Sequence, residues 1–309
     1  MSRVRTAVVD DSGSLAAGPC DPRTRVMRSP PGERPSWELW LREPLPGLRD
    51  LIVGLWAGDA DADSAHHRTV PDGELALMFN LGPPQRVIAP DGTTQVQRAA
   101  FVSGLQEQPL GFASMIRHPR VVAVRFRPRG AWAFFGGMPL DALANRVFDL
   151  DAVMGAVGGV EPFRQRLIAA VDLGAALDLL EDWIATRLLV GPRTHPMTRA
   201  AWDRLRAGAG DVRIATLARD LGVSPRYLND LFHREVGLSA KGVARILRFE
   251  HAMGRLAAAC DLEVPEVALA CGYYDQAHLD RDFRDLAGLT PTEYRARVFQ
   301  TPGWREIRG

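Results

Sequence analysis

The chain has 309 residues, of which 46% are hydrophobic and 24% are charged, and its formal net charge is +1. This composition is ordinary for a globular protein, and the length is sufficient for two domains. No run of about 18 apolar residues is present, which argues against a membrane span, and the N-terminus lacks the apolar core of a signal peptide. The cysteines Cys20, Cys260 and Cys271 are too few and too scattered for a disulfide framework or a four-ligand zinc site. We therefore expect a cytoplasmic protein.

The charge is distributed slightly unevenly along the chain. Residues 191–309 contain 18 Arg and Lys against 15 Asp and Glu, whereas residues 1–190 contain 20 against 22. A basic C-terminal third is compatible with nucleic-acid binding, but this excess is much weaker than that of a strongly basic DNA-binding domain. Charge alone therefore permits a DNA-binding function without establishing it.

The first 135 residues predict a tail followed by a β-domain. Residues 1–34 are rich in Pro, Gly, Ser and Arg, which predicts a disordered tail. Residues 35–135 contain short β-rich segments separated by Pro, Gly and Asp, which predict a small barrel or sandwich. The predicted strands are "WELWLR", "LIVGLWAG", "ELALMFNLG", "QRVIAP", "AAFVSG" and "VVAVRFRPRG". The segments "VPDGE" (70–74) and "APDGT" (89–93) are typical of hairpin turns.

A metal site in this β-domain is disfavoured by the spacing of its histidines. Glu74 and His118 could join the adjacent pair His66 and His67 in a metal-binding barrel. However, adjacent side chains on a strand point to opposite faces, so His66 and His67 cannot both line one lumen. We predict neither a metal nor another cofactor.

The candidate effector-binding residues are aromatic and basic. Arg125 and Arg127 share one face of a predicted strand, where they are either solvent-exposed or receive an acidic effector. Trp37 and Trp56 either line an apolar pocket or belong to the core. The chemistry of an effector cannot be read from these residues.

Residues 136–192 predict helices. In the segment 176–189, one helical face carries Leu177, Leu180, Ile184 and Leu188. This face either packs on the β-domain or pairs with its copy in a dimer, and the pattern is equally compatible with both.

The last hundred residues contain an internal repeat. Residues 214–245 align with residues 264–296, with one additional residue in the second copy. Each copy reads as a helix, a turn with a glycine (Gly222 or Gly272), a capped second helix and a second glycine stop (Gly237 or Gly288). Ser224 and Asp275 are suitable N-caps for the second helices. The sequence therefore predicts two helix-turn-helix units.

The second helix of each unit has an unpaired polar side, which suits insertion into a DNA major groove. The outward residues are Arg226, Asn229, Asp230 and His233 in the first unit, and Gln276, Ala277, Asp280 and Arg281 in the second. A helical pattern over residues 239–260 joins the two units. Its length of about 30 Å is close to one turn of B-DNA, about 34 Å, so the units could enter successive major grooves.

Residues 196–300 resemble the DNA-binding domain of AraC/XylS-type transcription regulators. The segment "ACGYYDQAHLDRDFRDLAGLTPTEYR" (270–295), with Ala268 just before it, carries this resemblance at twelve positions: Ala268, Gly272, Tyr273, Asp275, Leu279, Arg281, Phe283, Gly288, Thr290, Pro291, Tyr294 and Arg295. The resemblance implies that the eight outward residues read bases and that phosphates are bound near the helices starting at Ala240 and Pro291. The implied phosphate contacts are Lys241, Arg245, Arg284, Thr290, Tyr294 and Arg295.

The resemblance further implies a cupin-like sensor domain over residues 35–135 and a helical linker or dimerisation segment over residues 136–192. It implies a homodimer on double-stranded DNA, contact with RNA polymerase and an unknown small-molecule effector, with no membrane partner. It also favours the dimer interpretation of the helix at 176–189.

Two departures from the family pattern concern DNA affinity. Asp230, Asp280, Asp282 and Asp285 place negative charge on or beside the predicted DNA face, which lowers non-specific affinity. Asp230 and Asp280 can still accept a hydrogen bond from a cytosine amino group. In addition, the first repeat has Val243 and Ala244 where the second has Tyr294 and Arg295.

We interpret the chain as a multidomain α+β regulator of transcription rather than an enzyme. A DNA-repair enzyme with an alkyl-accepting cysteine would need an upstream cysteine cluster, and only Cys20 precedes residue 260. A constitutive architectural DNA-binding protein without an effector switch is the alternative. An effect of a ligand on DNA binding would exclude that alternative.

Overall fold

The computed structural model describes residues 21–29, 36–60, 65–82, 85–88, 93–97, 99–114, 120–155, 159–258 and 262–300. An antiparallel β-sheet domain with a few helices comes first, and the C-terminal part is helical. None of the helices in these ranges is both long enough and apolar enough to span a bilayer.

The β-domain contains two sheets in which all recorded strand pairs are antiparallel. The seven-stranded sheet has the order β1-β2-β3-β10-β5-β8-β11, and the four-stranded sheet has the order β4-β9-β6-β7. The strands are β1 (Thr24–Arg28), β2 (Trp37–Arg42), β3 (Ile52–Ala60), β4 (Ala65–Thr69), β5 (Leu75–Asn80), β6 (Gln85–Ile88), β7 (Thr94–Gln97), β8 (Ala100–Ser103), β9 (Leu110–Ser114), β10 (Arg120–Phe126) and β11 (Val147–Asp149). All six segments predicted as strands form strands. The closure of the two sheets into a cupin-like barrel stays a prediction.

Two predictions about this domain were wrong. Thr24–Arg28, assigned to the disordered tail, forms edge strand β1 and pairs with β2. The segment 70–74 is not a hairpin turn, because β4 before it pairs with β9 in one sheet and β5 after it belongs to the other sheet. The turn at 89–93 joins the paired strands β6 and β7, but residues 89–92 lie outside the described residues, as do His118 and the side chains of His66 and His67.

Both faces of the large sheet are buried along most of β10. Val122, Val124 and Phe126 alternate along the strand and have no exposed surface, as their spacing of two residues predicts. Arg125 lies on the opposite face. Four helices follow or cover this domain: α1 (Pro128–Phe134), α2 (Leu150–Met154), α3 (Val160–Ile168) and α4 (Leu173–Val190).

Helix α4 packs its apolar face on the large sheet and on α1. Leu177, Leu180 and Ile184 are fully buried. Polar contacts support this packing: Arg42 of β2 pairs with Asp178, and Nη2 of Arg23 lies 2.7 Å from Oε2 of Glu181. Of the two interpretations of this face, packing on the β-domain is the one that the structure shows, and dimerisation stays a prediction.

The C-terminal part, as far as the structure describes it, consists of seven helices. They are α5 (Pro196–Ala207), α6 (Ile214–Asp220), α7 (Pro225–Val236), α8 (Ala240–Ala258), α9 (Val264–Ala270), α10 (Gln276–Ala287) and α11 (Pro291–Gln300). The buried residues of α5, α6 and α7 form one continuous core with the β-domain. The buried residues of α9, α10 and the second half of α8 form a separate core. Val70, from the segment before β5, also belongs to that second core.

Candidate nucleic-acid interface

The structure forms both predicted helix-turn-helix units. In the first unit α6 and α7 flank Gly222 (φ 70°), and in the second α9 and α10 flank Gly272 (φ 75°). Both glycines adopt the left-handed conformation that favours this residue. Their second helices begin as predicted: the backbone N–H of Tyr227 donates to Oγ of Ser224 at 3.1 Å, and that of His278 donates to Oδ1 of Asp275 at 2.8 Å.

Helix α7, which we call the first reading helix, exposes the N-terminal half of its polar side. Arg226 and Asp230 are exposed, whereas Asn229 and His233 are half-buried. Tyr227, which the sequence did not single out, is 45% exposed beside them. The β-domain therefore leaves the predicted base-reading residues of this helix accessible.

Helix α10, the second reading helix, has a similar surface. Gln276, Ala277 and Arg281 are exposed, and Asp280 is half-buried. Tyr274, in the turn just before the helix, is 88% exposed. Its position two residues before Gln276 adds it to the candidate interface.

The predicted phosphate contacts divide into two groups. Lys241 and Arg284 are exposed, and Thr290 caps α11 through hydrogen bonds with Glu293, so these three residues stand at accessible helix ends or faces. Tyr294 is 4% exposed and its ring lies 5.6 Å from the ring of Phe283 in the second core. Its side chain was therefore wrongly predicted to contact DNA, because the apolar spacing of α11 turns it inward.

Two arginines of the predicted phosphate set are engaged within the protein. Nη1 of Arg295 donates to the backbone oxygen of Leu262 at 2.9 Å. Arg245 lies between two carboxylates of the second reading helix, with Nε 2.7 Å from Oδ1 of Asp282 and Nη2 2.6 Å from Oδ2 of Asp285. Arg245 is therefore already paired within the protein, and its contact with a phosphate stays a prediction.

The same ion pairs change the interpretation of the acidic residues near the DNA face. Asp282 is buried and faces α8, not solvent, and Asp285 shares the guanidinium of Arg245. Of the four aspartates predicted on or beside this face, Asp282 is buried and Asp285 is exposed but paired with Arg245, which leaves Asp230 and Asp280 without this partner. The expected loss of non-specific affinity is correspondingly smaller.

A carboxylate of the β-domain lies at the N-terminus of α8. A Cβ built on Gly242, in the first turn of α8, would come within 2.6 Å of Oε1 of Glu107. The backbone of Glu107 is held by Asn145, whose Oδ1 accepts its N–H at 2.7 Å. A phosphate was predicted at this helix end, so Glu107 places negative charge next to that predicted site. No local pattern predicts this contact, because it joins residues that are 135 positions apart in the chain.

The segment 70–74, which we call the docking segment, contacts the C-terminal helices. A Cβ on Gly73 would lie 3.2 Å from Cδ2 of Leu247 in α8 and 3.4 Å from the ring of Trp202 in α5. Behind this contact, Nη2 of Arg125 lies 2.6 Å from carboxylate oxygens of both Asp72 and Glu74. A candidate effector-binding residue is thus paired with acidic groups of the protein itself.

Burial has the largest effect on the pKa of the carboxyl group in the docking segment. Burial raises the pKa of the Glu74 carboxyl from an ordinary value of 4.5 to about 7, although the charge of Arg125 acts in the opposite direction. Asp72 and Glu250 add to the increase, and Arg206 of α5 reduces it. The β-domain and the C-terminal helices therefore share one partly neutralised charge cluster.

The other candidate effector residues have partners different from those of Arg125. Arg127 is half-buried and its Nε donates to the backbone oxygen of Arg49 at 3.1 Å. Burial and the nearby charge of Arg206 lower its pKa. Trp37 and Trp56 are half-buried, and their strands are paired. Within the described residues, no group of three or more His, Cys, Asp or Glu side chains could hold a metal. Effector binding stays a prediction.

Comparison with known proteins agrees with this geometry. Residues 217–297, which run from within α6 into α11, match a family model described as a helix-turn-helix domain. The HTH-type transcriptional regulator GlxA of Rhizobium meliloti is 38% identical over 81 residues, 26% of this chain and 25% of GlxA. The uncharacterized HTH-type transcriptional regulator YijO of Escherichia coli is 33% identical over 131 residues, 42% of this chain and 44% of YijO. The C-terminal helices are therefore similar to the helix-turn-helix domain of AraC/XylS-type regulators.

The AraC-type similarity is confined to part of the chain. The matched segments span less than half the length of GlxA and YijO. A solved AraC-type transcriptional regulator of Chromobacterium violaceum is 28% identical, with a TM-score of 0.32, over 35% of this chain and 96% of that chain. Residues 42–149, most of the β-domain, match a model described as a domain of unknown function, DUF6597.

Proposed function

We propose that this chain is a sequence-specific DNA-binding regulator of transcription of the AraC/XylS type whose DNA binding responds to a small molecule bound by the β-domain. The single observation that carries the proposal is the pair of capped helices, α7 and α10, each presenting an accessible polar N-terminal half. The alternative is that these polar sides are only solvent-exposed helix surfaces without a partner. That alternative explains one such helix, but it does not explain two copies with matching turns.

One long helix connects the two helix-turn-helix units along the chain. We call α8 the linker helix; its 19 residues extend about 28 Å. This length is close to the separation of about 34 Å between successive major-groove segments on one side of B-DNA. The proposal is that each reading helix enters one of these segments.

The side chains on the reading helices suit recognition of base edges. Arg226 and Arg281 can bind guanine with two hydrogen bonds, and Asn229 and Gln276 can do so with adenine. Asp230 and Asp280 can accept from the cytosine amino group, and Ala277 can contact the thymine methyl. His233 is the remaining candidate. Lys241, Arg284 and Thr290 are the proposed phosphate contacts.

The division of the buried residues into two hydrophobic cores suggests how ligand binding in the β-domain could be coupled to DNA binding. The first unit shares its core with the β-domain, and the backbone at Gly237, where α7 ends, packs against Leu140 of the β-domain. The second unit has its own core and meets the β-domain at Val70. A small molecule that shifts the β-domain would therefore alter the first unit directly and the second through the docking segment, which favours one DNA-binding arrangement.

The proposed partners are double-stranded DNA, a second copy of the chain and RNA polymerase. A dimer would need a surface other than the apolar face of α4, which is buried on the sheet. Coupling to a homodimer and to the polymerase rests on the resemblance to the family.

Selection of binding sites from a random DNA pool tests this function. The purified full-length chain, at roughly physiological salt, should enrich two short motifs about ten base pairs apart. Arg226→Ala and Gln276→Ala should each erase one motif. Arg25→Ala, which removes an exposed arginine of β1, is the matched control and should leave both motifs intact. Equal binding to all sequences by the wild-type chain would contradict the proposal and support a constitutive architectural role.

A further inference from the structure

The linker helix holds the second reading helix through one arginine. Nε of Arg245 lies 2.7 Å from Oδ1 of Asp282, and Nη2 lies 2.6 Å from Oδ2 of Asp285. The Asp282 side chain is 5% exposed, whereas that of Asp285 is 62% exposed. The guanidinium therefore forms two ion pairs at once, which we call the bridge. One is with a buried carboxylate and the other with an exposed carboxylate three residues later on α10.

A second arginine extends this polar contact to the turn. Arg248 lies nearly one helical turn after Arg245 and places its guanidinium carbon 4.9 Å from the centroid of the Tyr273 ring. Tyr273 is 3% exposed, and burial together with the charge of Asp282 raises the pKa of its hydroxyl. The linker helix thus contacts the buried Tyr273 of the turn and the buried Asp282 of the reading helix through its arginines.

The rest of the contact between these two helices is apolar. The rings of Phe249 and Phe283 lie 4.8 Å apart, and Leu279 and Leu286 are fully buried. Apolar packing supplies the larger part of the free energy of association but is not directional. A charged, forked hydrogen-bond donor is directional, and a buried ion pair commonly adds little net stability compared with an apolar pair of the same size.

We propose that Arg245 is a positioning residue for DNA recognition: its bridge to Asp282 and Asp285 fixes the orientation of the second reading helix on the linker helix. This proposal rests on the function proposed above. It explains why an arginine near the predicted DNA face forms ion pairs with carboxylates of the protein itself. A fixed orientation restricts the separation at which the two reading helices meet DNA, because each added base pair moves the second motif by about 3.4 Å along the duplex.

The test measures tolerance to motif spacing. Affinities are measured for the selected two-motif site and for sites with one base pair added or removed between the motifs. The wild-type chain should prefer its own spacing by about tenfold, the effect of a typical mismatch. Arg245→Met/Asp282→Leu replaces the buried ion pair with an apolar pair that can keep the helices packed. It should reduce the preference to about twofold or less while the unfolding transition stays close to that of the wild type.

Two further variants serve as controls for an effect of misfolding on the spacing preference. Arg245→Lys keeps the charge but loses the fork, so it should fold and show an intermediate preference. Arg255→Met changes an exposed arginine farther along the same helix and should leave the preference unchanged. If the double variant folds and keeps the full spacing preference, or if Arg245→Lys loses none of it, Arg245 is only a structural residue and the proposal is overturned.

A measurement without DNA separates this proposal from the proposed function. Spin labels introduced at the exposed positions Arg219 and Arg284 report the distance between the two units by electron-electron double resonance. The double variant should broaden this distance distribution relative to the wild type and to Arg255→Met. An unchanged distribution would overturn the positioning role even if both motifs are selected. A broadened distribution would support it even if the wild-type chain selects no motif, in which case the proposed function alone fails.

Discussion

Arg125 and Glu74 form an ion pair in which Nη2 of the guanidinium lies 2.6 Å from Oε2 of the carboxylate. The side chain of Glu74 is only 6% exposed, and Asp72 pairs with the same guanidinium at 2.6 Å. Arg206 of α5 and Glu250 of α8 also act on the Glu74 carboxyl. The β-domain and the linker helix therefore meet at a charge cluster that contains one carboxyl with a strongly raised pKa.

The stability of the protein should depend on the protonation of Glu74. Its folded-state pKa of about 7 exceeds its ordinary value of 4.5, so this group favours folding most at low pH and loses that contribution as pH rises through about 7. Between pH 6 and pH 8 the contribution should fall by about 1 kcal/mol. Urea denaturation of the wild type and of Glu74→Gln at both pH values checks this, since the variant lacks the titrating group. An equal pH dependence in both proteins would contradict the assignment.

The docking segment should tolerate no larger side chain at Gly73. A Cβ there already approaches Leu247 at 3.2 Å and Trp202 at 3.4 Å, so the branched side chain of Gly73→Val would push the segment away from both helices. We expect a loss of about 1–3 kcal/mol in the free energy of unfolding, as for other overpacked contacts. Gly47→Val is the matched control, because a Cβ on Gly47 meets no atom within 4 Å. Equal unfolding midpoints for the two variants would show that the docking contact is not formed.

Removing the carboxylate of Glu107 should strengthen DNA binding. This group lies against Gly242 at the N-terminus of α8, where we propose that Lys241 contacts a phosphate. Neutralising a charge next to a phosphate contact should raise affinity by about twofold to fivefold at low salt, and the gain should shrink as salt increases. Fluorescence anisotropy with a labelled duplex can compare Glu107→Gln with Glu43→Gln, which changes an exposed carboxylate in the loop after β2. A gain that is the same in both variants would reflect net charge alone.

The apolar face of α4 should be required for folding of each copy. Leu180 has no exposed surface, so Leu180→Ala should cost about 2–5 kcal/mol of stability at any protein concentration. The exposed Leu189 on the same helix provides the control, and Leu189→Ala should change stability little. Thermal unfolding at several protein concentrations checks this. If Leu180→Ala left the copies stable but dissociated an oligomer, α4 would be a dimer interface after all.

The local features of this fold could be predicted from the sequence. The two helix-turn-helix units are specified by short-range signals: apolar residues at steps of three and four, Gly222 and Gly272 in the turns, and the caps Ser224 and Asp275. Six strands were equally clear, because β-branched and aromatic residues alternate between Gly and Pro breaks. These signals lie within about ten residues of one another, so a short stretch of sequence is sufficient to predict each element.

The features that the sequence did not reveal depend on distant partners. Strand β1 looks like part of a polar tail, yet Arg23 beside it pairs with Glu181 of α4 and fixes it at the sheet edge. Arg245 is a basic residue near a predicted phosphate site, so the sequence suggests a phosphate contact. The structure instead shows it paired with two carboxylates 37 and 40 residues away. A side chain's chemistry limits what it can bind, but tertiary packing decides which partner it meets.

The central claim, that α7 and α10 each read one DNA motif, is tested most directly by combining protein and DNA substitutions. Affinities of the wild type, Arg226→Ala and Gln276→Ala are measured for the selected site and for the same site with one motif scrambled at a time. We predict that each variant becomes insensitive to scrambling of one motif, a different one for each variant, and stays sensitive to scrambling of the other. If both variants instead weaken binding to all sites by the same factor, these residues contact only the backbone and the account is contradicted.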